Sequence, residues 1–111
     1  MNKLTIIGNL TRDPESRVTS NGSSVCTFTV AVNRRTRSDQ QPEADFFRVS
    51  AWGKLGESCL RYLAKGRKVA VTGPVAASAY TAQDGTPMAS LEVRADDVEF
   101  LSSGHSGEGE G

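Results

Sequence analysis

If the stretch DFFRVSAW, Asp45 to Trp52, is a strand, successive side chains point to opposite faces. Phe47, Val49 and Ala51 then share an ordinary core face. Phe46, Arg48, Ser50 and Trp52 share the other, which combines two large rings with a guanidinium and a hydroxyl. Such a set is suited to one kind of chemistry. Exposed rings stack on the π-faces of nucleobases whatever the base sequence, at about 1–3 kcal/mol per base. An arginine between them pairs with a phosphate or stacks on a base itself. Phe46 and Trp52, six positions apart, stand about 20 Å apart along an extended strand. That span suits a draped polymer better than one small ligand. Exposed aromatics also mark interfaces of every kind, so the strand alone leaves a covered subunit contact as an equal alternative.

The flanks of this strand supply charge. Directly before it runs NRRTRSDQQPEA, Asn33 to Ala44, a polar loop longer than most hairpin connections that carries Arg34, Arg35 and Arg37. Lys54 follows shortly after Trp52, so phosphate neutralisation is offered at both ends of the aromatic face. Tyr80, in SAYTAQDG, adds a third ring at a hairpin tip, with loop packing as its plainer alternative. Phe28, Tyr62 and Phe100 differ: their phase puts them on core or helix-packing faces, as structural residues.

Other chemistry finds little support. Cys26 and Cys59 lack metal-ligand spacing and sit in apolar patterns, which predicts buried, reduced and inert thiols. His105, the only histidine, lies in a glycine-rich segment without partners for a metal or a triad. Asp96, Asp97 and Glu99 are carboxylates that a metal-dependent nuclease could use. Yet Asp97 and Glu99 alternate with Val98 and Phe100, as the polar face of a strand does. No base, nucleophile or ligand set converges, so no enzyme, metal or cofactor is expected.

A chain of 111 residues suffices for one domain around a single core, and 37% hydrophobic with 23% charged residues is an ordinary globular balance. No apolar run approaches the roughly 18 residues of a membrane span. MNKLTIIGNL lacks the apolar core and cleavage site of a signal peptide, which makes a cytosolic protein the default. The net charge is zero but unevenly laid out. All 13 lysines and arginines lie at or before Arg94, while five of the 13 acids come after it, leaving +5 on residues 1–95 and −5 on residues 96–111. A basic body with an acidic tail is compatible with a polyanionic partner.

Several elements position the candidate residues. KLTIIGNL puts Leu4, Ile6, Gly8 and Leu10 on one face, the glycine marking a bend or close approach, and TRDPES is a connector. Asn21-Gly22 signals a hairpin, after which Cys26, Phe28, Val30 and Val32 alternate with Thr27, Thr29 and Ala31. The Asp45–Trp52 strand comes third. KLGESCLRYLAKG switches to helical period, with Leu55, Cys59, Tyr62 and Leu63 on one face and Gly66 as the stop. KVAVTGPV returns to alternation, Asp84-Gly85 turns a second hairpin, and MASLEVRADDVEFL is a last strand. SSGHSGEGEG, residues 102–111, has the composition of a flexible tail, which leaves residues 1–101 as the domain. Five strands with one helix between the third and fourth predict an all-β, five-stranded OB-fold barrel plugged at one end by the helix. A ferredoxin-like sandwich would need a second helix.

With these residues assembled, the chain resembles the bacterial single-stranded DNA-binding proteins from Asn2 to Leu101. NKLTIIGNLTRDPESR, NGSSVCTFTVAVNR, DFFRVSAWGKLGESCLRYLAKGRKVAVTG and LEVRADDVEFL match in content, order and spacing. The resemblance implies OB-fold subunits, usually homotetrameric, cytoplasmic and nucleoid-associated. Such subunits bind and protect single-stranded DNA without sequence preference in replication, recombination and repair. It implies base stacking by Phe46, Trp52 and Tyr80, and phosphate contacts by Lys3, Arg48 and Lys54. Arg34, Arg35 and Arg37 attach to the phosphate role more loosely. Three departures stand out. Thr36 occupies a loop position that often holds an aromatic, and PVAASA stands where a basic strand is usual before Tyr80, so that hairpin should hold DNA less strongly. The chain also stops at GEGEG, where family members commonly carry a long linker and an acidic tip with a hydrophobic end. Recruitment of other proteins through such a tip is not supported by these residues. An RNA-binding or primosome-type OB module would share the same rings and charges. A preference between RNA and DNA of equal length, set by the 2′-hydroxyl, separates the two.

Overall fold

The computed structural model describes residues 1–34 and 43–101. Among these, the alternating stretches form eight strands and the stretch of helical period forms one helix. The order is β1 (Leu4–Leu10), β2 (Glu15–Val18), β3 (Ser24–Arg34), β4 (Glu43–Trp52), α1 (Gly53–Tyr62), β5 (Lys68–Gly73), β6 (Val75–Thr81), β7 (Pro87–Arg94) and β8 (Asp97–Leu101). The expectations for Arg35, Thr36, Arg37 and His105, and for a tail over residues 102–111, lie outside the described residues.

The five expected barrel strands are present, the last two each broken once. Pro74, which has no N–H for a ladder, separates β5 from β6, and Ala95-Asp96 separates β7 from β8. The sheet runs β6-β7-β4-β3-β1-β5-β8, with β2 pairing on β3. The β4–β7 pair is parallel and the other pairs are antiparallel. The chain itself joins the two sides. The Ala95 N–H donates to the Ser50 carbonyl on β4 at 2.8 Å, and the Asp96 N–H donates to the Thr72 carbonyl on β5 at 2.7 Å. A two-residue bend therefore carries one long strand across the seam and rounds the sheet into the OB-fold barrel. Gly73 permits that corner, because a Cβ there would collide with the Arg94 carbonyl. Gly8 likewise lets β1 pass close to β3, where a Cβ would meet the Ala31 carbonyl.

Valine dominates the interior. Val30, Val49, Val69, Val71 and Val93 are fully enclosed, with Cys26 and Cys59 among them and Ile6, Leu10 and Phe28 beside them. Each such aliphatic contributes about 1.5–3 kcal/mol relative to exposure. The inward faces of β1, β3 and β4 are the ones that alternation predicts. Helix α1 closes one end through Cys59 and, just past its last residue, Leu63, with Gly56 lying against the Ala51 carbonyl. No helix among the described residues is long and apolar enough to cross a membrane.

Two expectations need correction and a third narrows. TRDPES is not wholly a connector: Glu15 begins β2, which the Asn21-Gly22 turn folds back onto Ser24–Thr27. The helix ends at Tyr62, before Gly66. That glycine, with φ of +87°, instead gives its N–H to the Leu10 carbonyl and ties the following loop to β1. Of the two faces expected for Tyr62 and Phe100, core or helix-packing, they take the second: both are exposed and pack on one another between α1 and β8, with ring centroids 5.6 Å apart.

Candidate nucleic-acid interface

The inner face of β4 is filled by Val49 and Ala51, so pleating sends Phe46, Arg48, Ser50 and Trp52 outward. Phe46 stands opposite Ala31 on β3, a side chain too small to cover its ring, and is 58% exposed. Trp52 is 36% exposed at the end of the strand, opposite Val25. Arg48 lies between them, beside Thr29 on β3 and Glu92 on β7, and makes no ion pair with a described acid. Next to it a hollow of about 280 Å³ opens toward Arg12 over Thr27 and Thr29. A second hollow, lined by Thr27, Arg48, Ser50 and Glu92, adjoins it on the β7 side. The outer wall is thus a shallow polar trough with a ring on either side of one guanidinium.

Register puts Tyr80 on the same wall. Glu92 lies beside Arg48, and two steps of two along β7 lead to Met88, which pairs with Tyr80 on β6. The tyrosine is 52% exposed, close to the turn formed by Ala82–Thr86. From Val75 to Val93 the hairpin carries no cation, in keeping with PVAASA; the first is Arg94, at the end of β7.

The cations divide. Lys54 is the second residue of α1, two positions beyond Trp52, and is exposed, with no described acid as partner. Lys3 lies 4.0 Å from Asp96, a loose contact between exposed groups. Arg34 is engaged twice: its Nη2 reaches Glu43 at 2.8 Å and its Nε reaches Asp45 at 3.2 Å. These pairs join β3 to β4, so Arg34 is the least available of the predicted phosphate ligands among the described residues. Sequence reasoning missed Arg94. Its guanidinium carbon lies 5.5 Å from the centroid of the Trp52 ring. Alternation along LEVR places it on the face of Glu92, but only the parallel β4–β7 register, Ser50 beside Arg94, brings it to the tryptophan.

Comparison with known proteins bears on what such a wall is for. Residues 1–101 match the single-strand binding protein family. The chain belongs to that family. Among its relatives, the "Single-stranded DNA-binding protein 3" of Clostridium acetobutylicum is 43% identical over 107 residues, covering 96% of this chain and 74% of that one. The "Single-stranded DNA-binding protein" of Clostridium perfringens is 44% identical over 108 residues, covering 96% and 70%. That of Treponema pallidum is 40% identical over 105 residues, covering 93% and 59%.

As a member of the single-strand binding protein family, the chain is a binding protein rather than an enzyme. Cys26 and Cys59 are buried and free. Burial, with the Cys26 thiol nearby, pushes the Cys59 thiol up to about 12, and burial raises Cys26 as well. Asp96 faces Lys3, while Asp97 and Glu99 lie exposed on β8. Among the described residues no three of His, Cys, Asp and Glu gather into a metal-binding group.

Proposed function

We propose that this protein binds single-stranded DNA without sequence preference, on the outer wall of β4 and the strands beside it. The observation that carries the reading is the exposure of Phe46 and Trp52 on either side of Arg48, on a strand whose other face is core. Bases stack on Phe46 and Trp52, and on Tyr80 at the hairpin. Arg48 and Lys54 take phosphates, with Lys3, Arg34 and the loop residues Arg35 and Arg37 in support. The binding protects unpaired strands in replication, recombination and repair, in the cytoplasm at the nucleoid. The unit is residues 1–101, followed by a Gly/Ser/Glu-rich tail.

A homo-oligomer, a tetramer by resemblance, suits the surface of β1. That strand pairs with β5 from Leu4 to Asn9 but with β3 only at Asn9 and Leu10, so much of one edge has no partner among the described residues. Ile7 lies 52% exposed on its outer face. Joining several short sites on one assembly raises avidity for long strands.

Trp52 is the only tryptophan, so its emission reports directly on the wall. Titration with oligo(dT) should quench it, and Trp52→Ala should weaken binding by about 1–3 kcal/mol. A Trp52→Ala protein that binds as tightly as the wild type, together with unquenched wild-type emission, would refute the reading. Light scattering with and without oligo(dT) gives the subunit count.

A further inference from the structure

Arg94 is held in place more firmly than an exposed arginine needs to be. Its own N–H donates to the Pro74 carbonyl at 3.0 Å, and the next N–H, of Ala95, donates to the Ser50 carbonyl at 2.8 Å. Its carbonyl fits against Gly73, where any side chain would collide with it. The side chain therefore leaves a backbone pinned from both the β4 and the β5–β6 sides. It ends with the guanidinium over the Trp52 ring, 5.5 Å from the centroid. No described acid lies within ion-pair distance of it, in contrast to Arg34 with its two carboxylates.

From this we infer that Arg94 is a DNA-binding residue of the Trp52 subsite, one that the sequence did not disclose. The inference rests on the proposed stacking role of Trp52 and assigns that subsite a phosphate ligand. The planar guanidinium caps part of the indole and keeps its orientation, while the ring surface it leaves open receives a base. A guanidinium has five N–H donors and stacking uses none of them, so those pointing away from the ring meet the phosphate of the stacked nucleotide. Ring and charge then act on one nucleotide, which neither Phe46 nor Tyr80 is placed to do, since no described cation lies over their rings.

The test measures oligo(dT) affinity across a salt series for the wild type, Trp52→Ala, Arg94→Gln, Arg94→Lys and the double variant Trp52→Ala/Arg94→Gln. Each phosphate contact on a single strand contributes about 0.7 to the slope of log affinity against log salt. Arg94→Gln should bind roughly tenfold more weakly and lose about 0.7 of that slope. Arg94→Lys keeps the charge and should keep the slope, with affinity between the two; it also serves if the glutamine variant folds poorly. In the double variant the two losses should combine to less than their product, because the guanidinium loses its support with the ring. An unchanged slope in Arg94→Gln overturns the inference. So does tighter binding, which would mean that the guanidinium competes with bases for the indole. Trp52→Ala binding like the wild type would instead remove the stacking reading itself, a failure distinguishable from weak Trp52→Ala with normal Arg94→Gln.

Discussion

The molecule exposes aromatic rings in two places, and they do not offer the same thing. On the outer wall of β4, Phe46 is 58% exposed; where α1 meets β8, Tyr62 is 53% exposed. Accessibility alone would rank them together. The difference is what each ring touches. Tyr62 packs on Phe100 with centroids 5.6 Å apart and planes inclined at 51°, and Arg61 stands 5.9 Å from the Tyr62 centroid. Those rings satisfy one another and fasten the end of the helix to the last strand. Phe46 stands opposite the small Ala31 and joins no ring pair among the described residues, which suits it to the stacking role proposed for it. A stacking platform is thus defined by an unused π-face on a rigid strand, with exposure as a necessary condition only.

Four experiments would break or sharpen this contrast. The largest effect is expected from Trp52→Ala and Phe46→Ala, each weakening oligo(dT) binding by about 1–3 kcal/mol while the melting temperature stays nearly unchanged. Fluorescence anisotropy and calorimetry on the same samples check both halves. The mirror result is expected from Tyr62→Ala and Phe100→Ala, which should cost about 1 kcal/mol of stability in chemical denaturation and leave DNA affinity alone. Weakened binding in those variants, at unchanged stability, would erase the distinction between the two regions.

Smaller effects separate the cations. Arg48→Ala should lower the salt slope by about 0.7, whereas Arg34→Ala should lower it by less, because Arg34 already pairs with Glu43 and Asp45. Equal slopes in the two variants would show that those ion pairs open when DNA binds. The smallest signal comes from beneath the Tyr62 side, at Cys59. Its folded thiol is pushed up to about 12, above its ordinary value, so folding favours the protonated form. The associated stability is fully present below the ordinary thiol range and is lost as pH rises toward 12. Denaturation midpoints of Cys59→Ala and wild type, compared at neutral and high pH, should converge on the alkaline side. A thiol reagent at neutral pH should react only with the unfolded chain.

Legibility followed burial. In β1, β3 and β4 one face is core and the other is not, so alternation alone located Ile6, Phe28, Val49 and their outward neighbours. The Asn21-Gly22 turn was legible for a backbone reason, since Gly22 takes φ of +89°. β2 was not, because all four of its residues are exposed and it exists only where the turn folds it onto β3. Tyr62 has the phase of a helix-packing residue, but the helix ends there, and the ring escapes to Phe100 instead of the core. Within the proposed interface, Phe46, Arg48, Trp52 and Lys54 lie in one contiguous stretch. Arg94 lies 42 residues beyond Trp52 and reaches it only through parallel pairing, which no local pattern encodes. Arg34 was read as loop charge, though its partners sit on the neighbouring strand.

The pleat of β4 has a consequence for how the protein can change. Val49 and Ala51 hold the barrel together, while Arg48, Ser50 and Trp52, interleaved with them, face the wall proposed for the ligand and contribute little to the interior. Two traits are written on one ribbon in alternate letters. Substitutions at the outward letters can retune grip, salt response or preferred polymer without loosening the fold. The inward letters can drift among similar volumes without altering what is held.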